Sequence, residues 1–160
     1  MSDTAASNQP LFEVVRIYAK DTSLETPNTP KVFQQQWKPE LKVEFDTKTT
    51  SIGVDQYEVV LRITVTCKTE GTTAFICEVN QAGIFFAKNF DKATLDYALG
   101  ASAPSMLYPY AREYVSNLVS RATFPQLTLA PLNFEAVYRA KQEQAAQAAA
   151  KANQDNPANA

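Results

Sequence analysis

The stretch YEVVLRITVTCK, Tyr57 to Lys68, decides the architecture. Tyr57, Val59, Leu61, Ile63, Val65 and Cys67 fall on one side of an extended chain, while Glu58, Arg62, Thr64, Thr66 and Lys68 dominate the other. Successive side chains of a strand point to opposite faces, so this pattern describes a strand with one buried face and one wet face. Working outward, residues 11–19 (LFEVVRIYA), 41–46 (LKVEFD) and 73–81 (TAFICEVNQ) carry the same β-branched, aromatic and largely alternating signature. Four strands are predicted. Thr69 to Thr72 (TEGT) is a short polar loop containing Gly71 and suits a hairpin between the third and fourth strands, so the sheet is expected to be antiparallel.

A longer connection, TPNTPKVFQQQWKP, Thr26 to Pro39, reads as a crossover loop whose prolines bracket Phe33 and Trp37. Two roles fit these aromatics: pinning the loop to the sheet, or binding a ligand. After Gly83 the period turns helical. Leu95, Ala98 and Leu99 mark a short helix; Met106, Leu107, Tyr110, Ala111, Tyr114, Val115, Leu118 and Val119 mark a long amphipathic one. Its tyrosines suit either the protein's own sheet or a partner subunit. A last helix starts near Asn133, a plausible N-cap, and carries Phe134, Val137 and Tyr138 on one side. Beyond Lys141 the sequence offers no large apolar residue, and the helix is expected to fray into a tail. LYPYARE (Leu107 to Glu113) and VSRATFPQLTLAPLNF (Val119 to Phe134) stand out as dense in aromatics and prolines and resist assignment to ordinary helix or strand. The expected organisation is a flexible N-terminus at 1–10, one domain at 11–141 and a frayed end at 142–160.

The chain of 160 residues is 45% hydrophobic, enough for one domain with a real core. A formal charge of -2 with scattered cations gives no footprint for nucleic acid. The N-terminal MSDTAASNQP lacks the features of a leader, and no run of apolar residues is long enough to span a bilayer, so a soluble, cytoplasmic protein is expected. There is no histidine. Imidazole-dependent nucleophilic and acid–base machinery is therefore excluded, and the two cysteines, Cys67 and Cys77, read as reduced core residues rather than a metal pair. Four glycines supply neither GxxxxGK[ST] nor GxGxxG, so no nucleotide is expected. Asp21 and Glu25 would share a face if the first strand continues, and Glu78 points outward beside Ile76. Such carboxylates are either solvated edges or a dock for a basic segment.

Five collinear segments, RIYAKDTSLETPN, YEVVLRITVT, AFICEVNQAGIF, LYPYARE and SRATFPQLTLAPLNF, resemble successive segments of the SecB family of protein-export chaperones, over roughly residues 11–138. Two departures are visible. Tyr108 stands where the family often has phenylalanine, and Ala122 where glycine is common, which leaves the backbone near Thr123 open.

The resemblance implies an α+β subunit: a four-stranded antiparallel sheet with helices packed on one face, SecB-like, assembled as a dimer of dimers (a homotetramer). It implies a holdase without catalytic residues, cofactor or metal that binds unfolded presecretory proteins and delivers them to the SecA motor, with no insertion into membranes. The client groove would comprise Phe33, Trp37, Leu41, Val43, Phe45, Leu127, Leu129, Phe134 and Tyr138. The SecA-docking surface would comprise Asp21, Glu25, Ile76 and Glu78. Two other classes stay open on the residues alone: a small carboxylate enzyme using Glu78 or Asp21, which needs a cleft with a strongly shifted carboxylate, and a peptide-binding adaptor with a single fixed ligand.

Overall fold

In the computed structural model, which describes residues 8–154, the predicted alternation becomes four long strands. These are β1 (Leu11–Glu25), β2 (Pro39–Gly53), β3 (Gln56–Thr69) and β4 (Thr72–Lys88). They form one antiparallel sheet in the order β1-β4-β3-β2. A helical layer follows: α1 (Lys92–Tyr97), a π-helical turn (Ala98–Ser102), α2 (Ala103–Arg121) and α3 (Phe134–Gln154). The fold is therefore α+β with its helices against one face of the sheet, as expected. None of the helices is long and apolar enough to cross a membrane among the described residues.

The core lies where β3 and β4 meet α2. On β3, Val59, Leu61, Ile63, Val65 and Cys67 are all fully buried, which is the apolar row read from YEVVLRITVTCK. On β4, Phe75, Cys77, Val79 and Phe85 continue that row, and Leu107, Ala111, Val115 and Val119 descend on it from α2. Alanines at Ala103 and Ala111 let the helix approach closely. Burying a side chain the size of leucine or phenylalanine contributes roughly 1.5–3 kcal/mol, so this layer supplies most of the driving force.

Besides β1 and β2, which run past the expected 19 and 46 to Glu25 and Gly53, three features differ from the sequence reading. First, β4 does not end near Gln81 but runs through Gly83 to Lys88. Gly83 is there for clearance: an added Cβ would lie 2.7 Å from the Phe85 ring and 3.0 Å from Leu107. Second, LYPYARE lies wholly inside α2, with exposed Pro109 in the helix interior. The single stripe expected on α2 is two stripes. Leu107, Ala111, Val115 and Val119 face the sheet, while Met106, Tyr110 and Tyr114 are uncovered at 41%, 52% and 37% exposure. Third, α3 continues in regular form to Gln154 where fraying was expected from 142, although every residue from Arg139 to Gln154 is exposed. Alanine and glutamine hold helical angles at little intrinsic cost, so the turns persist without an apolar face. Residues 1–7 and 155–160, the ends of the expected flexible termini, lie outside the described residues.

The proline-rich segment after α2 is irregular up to α3. At its start, Thr123 adopts φ 64°, a left-handed conformation that a β-branched residue rarely takes. This is the position left open by Ala122. Its amide still donates to the Ser120 carbonyl at 3.0 Å, closing the end of α2.

Candidate functional site

The inward side chains of β2 decide what the inner face can do. Leu41 stands opposite Cys67, Val43 opposite Val65 and Phe45 opposite Ile63. They extend the buried row of β3 by one strand, but α2 sits over β3 and β4 and leaves this edge unroofed. Leu41 is 47% exposed, and Val43 and Phe45 are half-buried. An apolar shelf results.

Two aromatic hubs wall this shelf. Phe124 is buried among Phe33, Trp37 and Phe75, with ring centroids at 5.3, 5.6 and 5.2 Å. Tyr108 joins Phe45 at 6.2 Å to Phe134 at 5.5 Å. The Tyr108 hydroxyl donates to the Ala130 carbonyl and so ties the proline-rich segment to α2. Burial raises the pKa of this phenol, keeping it a donor, and the Arg112 guanidinium lies 5.9 Å from its ring centre. The extra hydroxyl relative to phenylalanine thus has a partner.

The crossover loop is pinned by one buried hydroxyl. Thr69 Oγ1 donates to the Gln36 carbonyl at 2.8 Å and accepts from the Lys38 amide at 2.9 Å. These bonds flank Trp37 and fix its backbone. Val32, 3% exposed, anchors the other half of the loop. Both roles entertained for Phe33 and Trp37 are therefore compatible: each packs on Phe124, yet Phe33 is still half exposed and Trp37 is only partly buried.

The nine residues of the expected groove do not all stand alike. Phe33 and Leu41 are open, and Trp37, Val43, Phe45, Leu127 and Tyr138 are half-buried. Leu129 and Phe134 belong to the core, at 6% and 5% exposure. Tyr138 turns toward the helical layer, edge-on to Tyr97 at 5.6 Å, over Gly100. A Cβ at Gly100 would lie 2.7 Å from the Tyr138 ring, so the glycine is the notch into which α3 docks. Sequence reasoning missed Phe124 and Tyr108 as hubs. Their only signal was an aromatic body next to Pro125 and Pro109.

On the outer face the strands bring the expected acidic residues together. Glu25 pairs with Ile76, Ser23 with Glu78 and Asp21 with Asn80. The shared face depends on an irregularity in β1 between Ala19 and Asp21, which reverses the inward–outward alternation. Glu78 accepts from Thr64 Oγ1 at 3.2 Å and from Asn80 Nδ2 at 3.3 Å; Asp21 and Glu25 are exposed. Beside them, Glu58 of β3 accepts from Lys20 Nζ at 2.6 Å and from the Tyr18 hydroxyl. The Lys20 bond, then the Tyr18 bond, lowers the Glu58 pKa. Tyr18 is pushed up to about 12, by burial first and then by its bond to Glu58. An open concavity of ≈ 540 Å³ lies over this region, lined among others by Lys20, Asp21, Asp46, Lys48, Glu58 and Arg62. With cations and carboxylates in equal number, it is a charged surface rather than an apolar pocket.

Cys67 and Cys77 are free and buried, and burial raises both thiols, Cys77 to about 11. They are packing residues, as read from the sequence. Among the described residues no group of three or more Cys, Asp or Glu is arranged to hold a metal.

A family model described as SecB, preprotein translocase subunit SecB, matches residues 5–145. Among solved structures, the chain is similar to the Mycobacterium tuberculosis Rv1957 SecB-like chaperone, determined in complex with a ChAD peptide from the Rv1956 HigA1 antitoxin. The two are 21% identical with a TM-score of 0.62, over 76% of this chain and 90% of that one. This likeness is one of fold. A Streptococcus agalactiae protein of unknown function overlaps at 10% identity and a TM-score of 0.36, over 77% of this chain and 98% of that one.

Proposed function

Because this chain belongs to the SecB family, we propose that it is a holdase that binds unfolded presecretory proteins in the cytoplasm, keeps them translocation-competent and delivers them to SecA. The observation that carries this reading is the unroofed shelf of Leu41, Val43 and Phe45 beside half-exposed Phe33 and Trp37. An unfolded segment laid there would bury its large side chains at roughly 1.5–3 kcal/mol each, and the edge of β2 offers main-chain hydrogen bonds that require no particular client sequence. Leu127 completes the wall, Leu129 and Phe134 support it from beneath, and Tyr138 holds α3 in place. The activity is binding rather than catalysis, and it needs no cofactor.

The reading includes a homotetramer built as a dimer of dimers, which the uncovered stripe of Met106, Tyr110 and Tyr114 on α2 supports. Several shelves on one assembly make the second contact with a long client intramolecular, and avidity then exceeds single-site affinity by about 10² to 10⁴. Asp21, Glu25, Ile76 and Glu78 would form the SecA-docking surface, an acidic ring around one apolar contact that complements a basic partner segment.

The test is the light-scattering mass of the purified protein with and without a reduced, slow-refolding client. A tetramer that captures the unfolded form and ignores the native one is expected, with capture by Trp37→Ala about tenfold weaker, equivalent to about 1.4 kcal/mol. Indifference to unfolded chains would sink the proposal. A second reading, an adaptor with a single fixed ligand, draws on the M. tuberculosis SecB-like chaperone having been determined in complex with one defined peptide. Competition between unrelated unfolded chains for the same sites would exclude it.

A further inference from the structure

From Phe124 to Leu132 the chain runs without helix, strand or turn, and its main chain is almost unspent. Among the described residues one main-chain group of this stretch is hydrogen-bonded, the Ala130 carbonyl, which accepts from the Tyr108 hydroxyl. Water can serve the exposed residues. Leu129 is different: it is 6% exposed, yet neither its amide nor its carbonyl has a protein partner, whereas buried main-chain groups are nearly always paired.

The direction of these groups follows from the alternation of the segment. Gln126, Thr128 and Ala130 are exposed, Leu127 is half-buried and Leu129 buried, which is the period of an extended chain. In such a chain the N–H and C=O of one residue point to one side and those of the next residue to the other. The Ala130 carbonyl points to α2, so Gln126 and Thr128 present their main-chain groups to α2 as well, and the Gln126 side chain donates to Ser116 Oγ of that helix at 3.4 Å. Leu127 and Leu129 therefore present theirs away from α2. That is the side of the shelf, because Phe124 is stacked on Trp37, just before β2, at 5.6 Å, and Tyr108, which holds Ala130, meets Phe45 of β2 at 6.2 Å. Pro125 and Pro131 fall on the same side as Leu127 and Leu129 and have no N–H to offer, so they close the strip at both ends.

We infer that the main-chain groups of Leu127 and Leu129 are a docking strip for the backbone of an extended client, bounding the shelf of Leu41, Val43 and Phe45 on its α2 side. The inference deepens the holdase reading and rests on it. Each of the two residues offers one donor and one acceptor, which any client residue other than proline can meet, so the strip adds grip without adding sequence preference. The flanking prolines stop a longer ladder from forming, which keeps each contact weak and the edge unattractive to further strands. Leu129 thus serves the groove through its backbone while its side chain belongs to the core.

Amide hydrogen exchange of the full-length protein, read by NMR with and without a reduced, slow-refolding client, tests this. On capture the Leu127 and Leu129 amides should slow about tenfold or more, while those of Gln126 and Thr128, turned to α2, change little. Proline substitutions give a second readout. Leu127→Pro removes one donor of the strip and should weaken capture about tenfold, more than Leu127→Ala does, whereas Thr128→Pro removes a donor on the other side and should leave capture within about twofold. The exchange pattern of the parent protein decides the matter if a proline variant does not fold. Equal slowing of all four amides, slowing of none, or equal losses in the two proline variants would overturn the strip; if the Leu41 and Phe45 resonances still shift on capture, the holdase reading survives that failure. A parent protein that captures no unfolded client would bring down both.

Discussion

The two faces of the sheet are made from alternate residues of the same strands, yet they are held by opposite means. Inward, Val65, Ile63 and Phe75 are defined by volume, and neighbouring rings meet at 5–6 Å with no polar partner required. Outward, Glu58 and Glu78 are defined by direction: Glu58 is fixed by two donors on β1, across β4, and Glu78 by one on neighbouring β3 and one two residues along its own strand. Apolar contact is non-directional and tolerates many partners, whereas a placed carboxylate discriminates. A protein that holds varied clients yet recognises one motor would need both kinds of surface, and a four-stranded sheet supplies them back to back.

The comparison can be broken most forcefully from the inside. Phe75→Ala removes the floor beneath Phe124 and is expected to cost about 3–5 kcal/mol in urea-induced unfolding, with client capture lost alongside stability; a cost below about 1 kcal/mol would mean that the aromatic hub is not the structural base of the shelf. A smaller effect is expected at Gly100→Ala. Its Cβ would collide with the Tyr138 ring at 2.7 Å, and overpacking of this kind costs about 1–3 kcal/mol, offset in part by alanine's better helix propensity. Weaker protection of α3 in hydrogen exchange, with the sheet unchanged, would confirm that the helix is docked through this notch.

The outer face should respond least, and to pH rather than volume. Glu58 has a lowered pKa in the folded protein, so its contribution is present above the unfolded carboxylate value near 4.5 and is lost as pH falls through the folded one. Tyr18 is raised to about 12; its contribution is complete below the unfolded value of 10.0 and is lost as pH rises from 10 toward 12. A stability–pH curve should therefore lose a fraction of a kcal/mol at each end, and the Tyr18→Phe variant should lack the alkaline step. An unchanged alkaline step in that variant would mean that the step does not come from Tyr18.

This difference between the faces also governs what was legible in the sequence. The row from Val59 to Cys67 could be read directly because full burial on one side enforces strict alternation, and the short TEGT loop after it carried the antiparallel pairing with β4. β1 was harder: its two register shifts break the period, and only the packing of Phe12, Ile17 and Leu24 against the core, at spacings of five and seven, exposes them. Gly83 looked like a strand end because its local sequence gives no hint of the Leu107 methyl above it. Phe33, Trp37, Leu41, Val43 and Phe45 were legible as large apolar residues near prolines or on an alternating strand. That Leu129 and Phe134 are enclosed was not, since burial there is set by contacts between residues distant in sequence, such as Tyr108 of α2 against Phe134. For the acidic residues, type and spacing were visible, but the irregularity in β1 that turns Asp21 to their face was not.

The strand order has a consequence for how the molecule is made. β2, β3 and β4 are neighbours in sequence and in space and can pair as they emerge. β1 leaves the ribosome first but has only β4 beside it, so it must wait for Ile76 to Lys88. At ordinary rates of synthesis that delay is roughly 3–15 seconds, during which Phe12, Val14, Val15 and Ile17 have no sheet to join. For that interval the nascent chain presents an extended apolar segment of its own, the same kind of object that the finished shelf is proposed to hold.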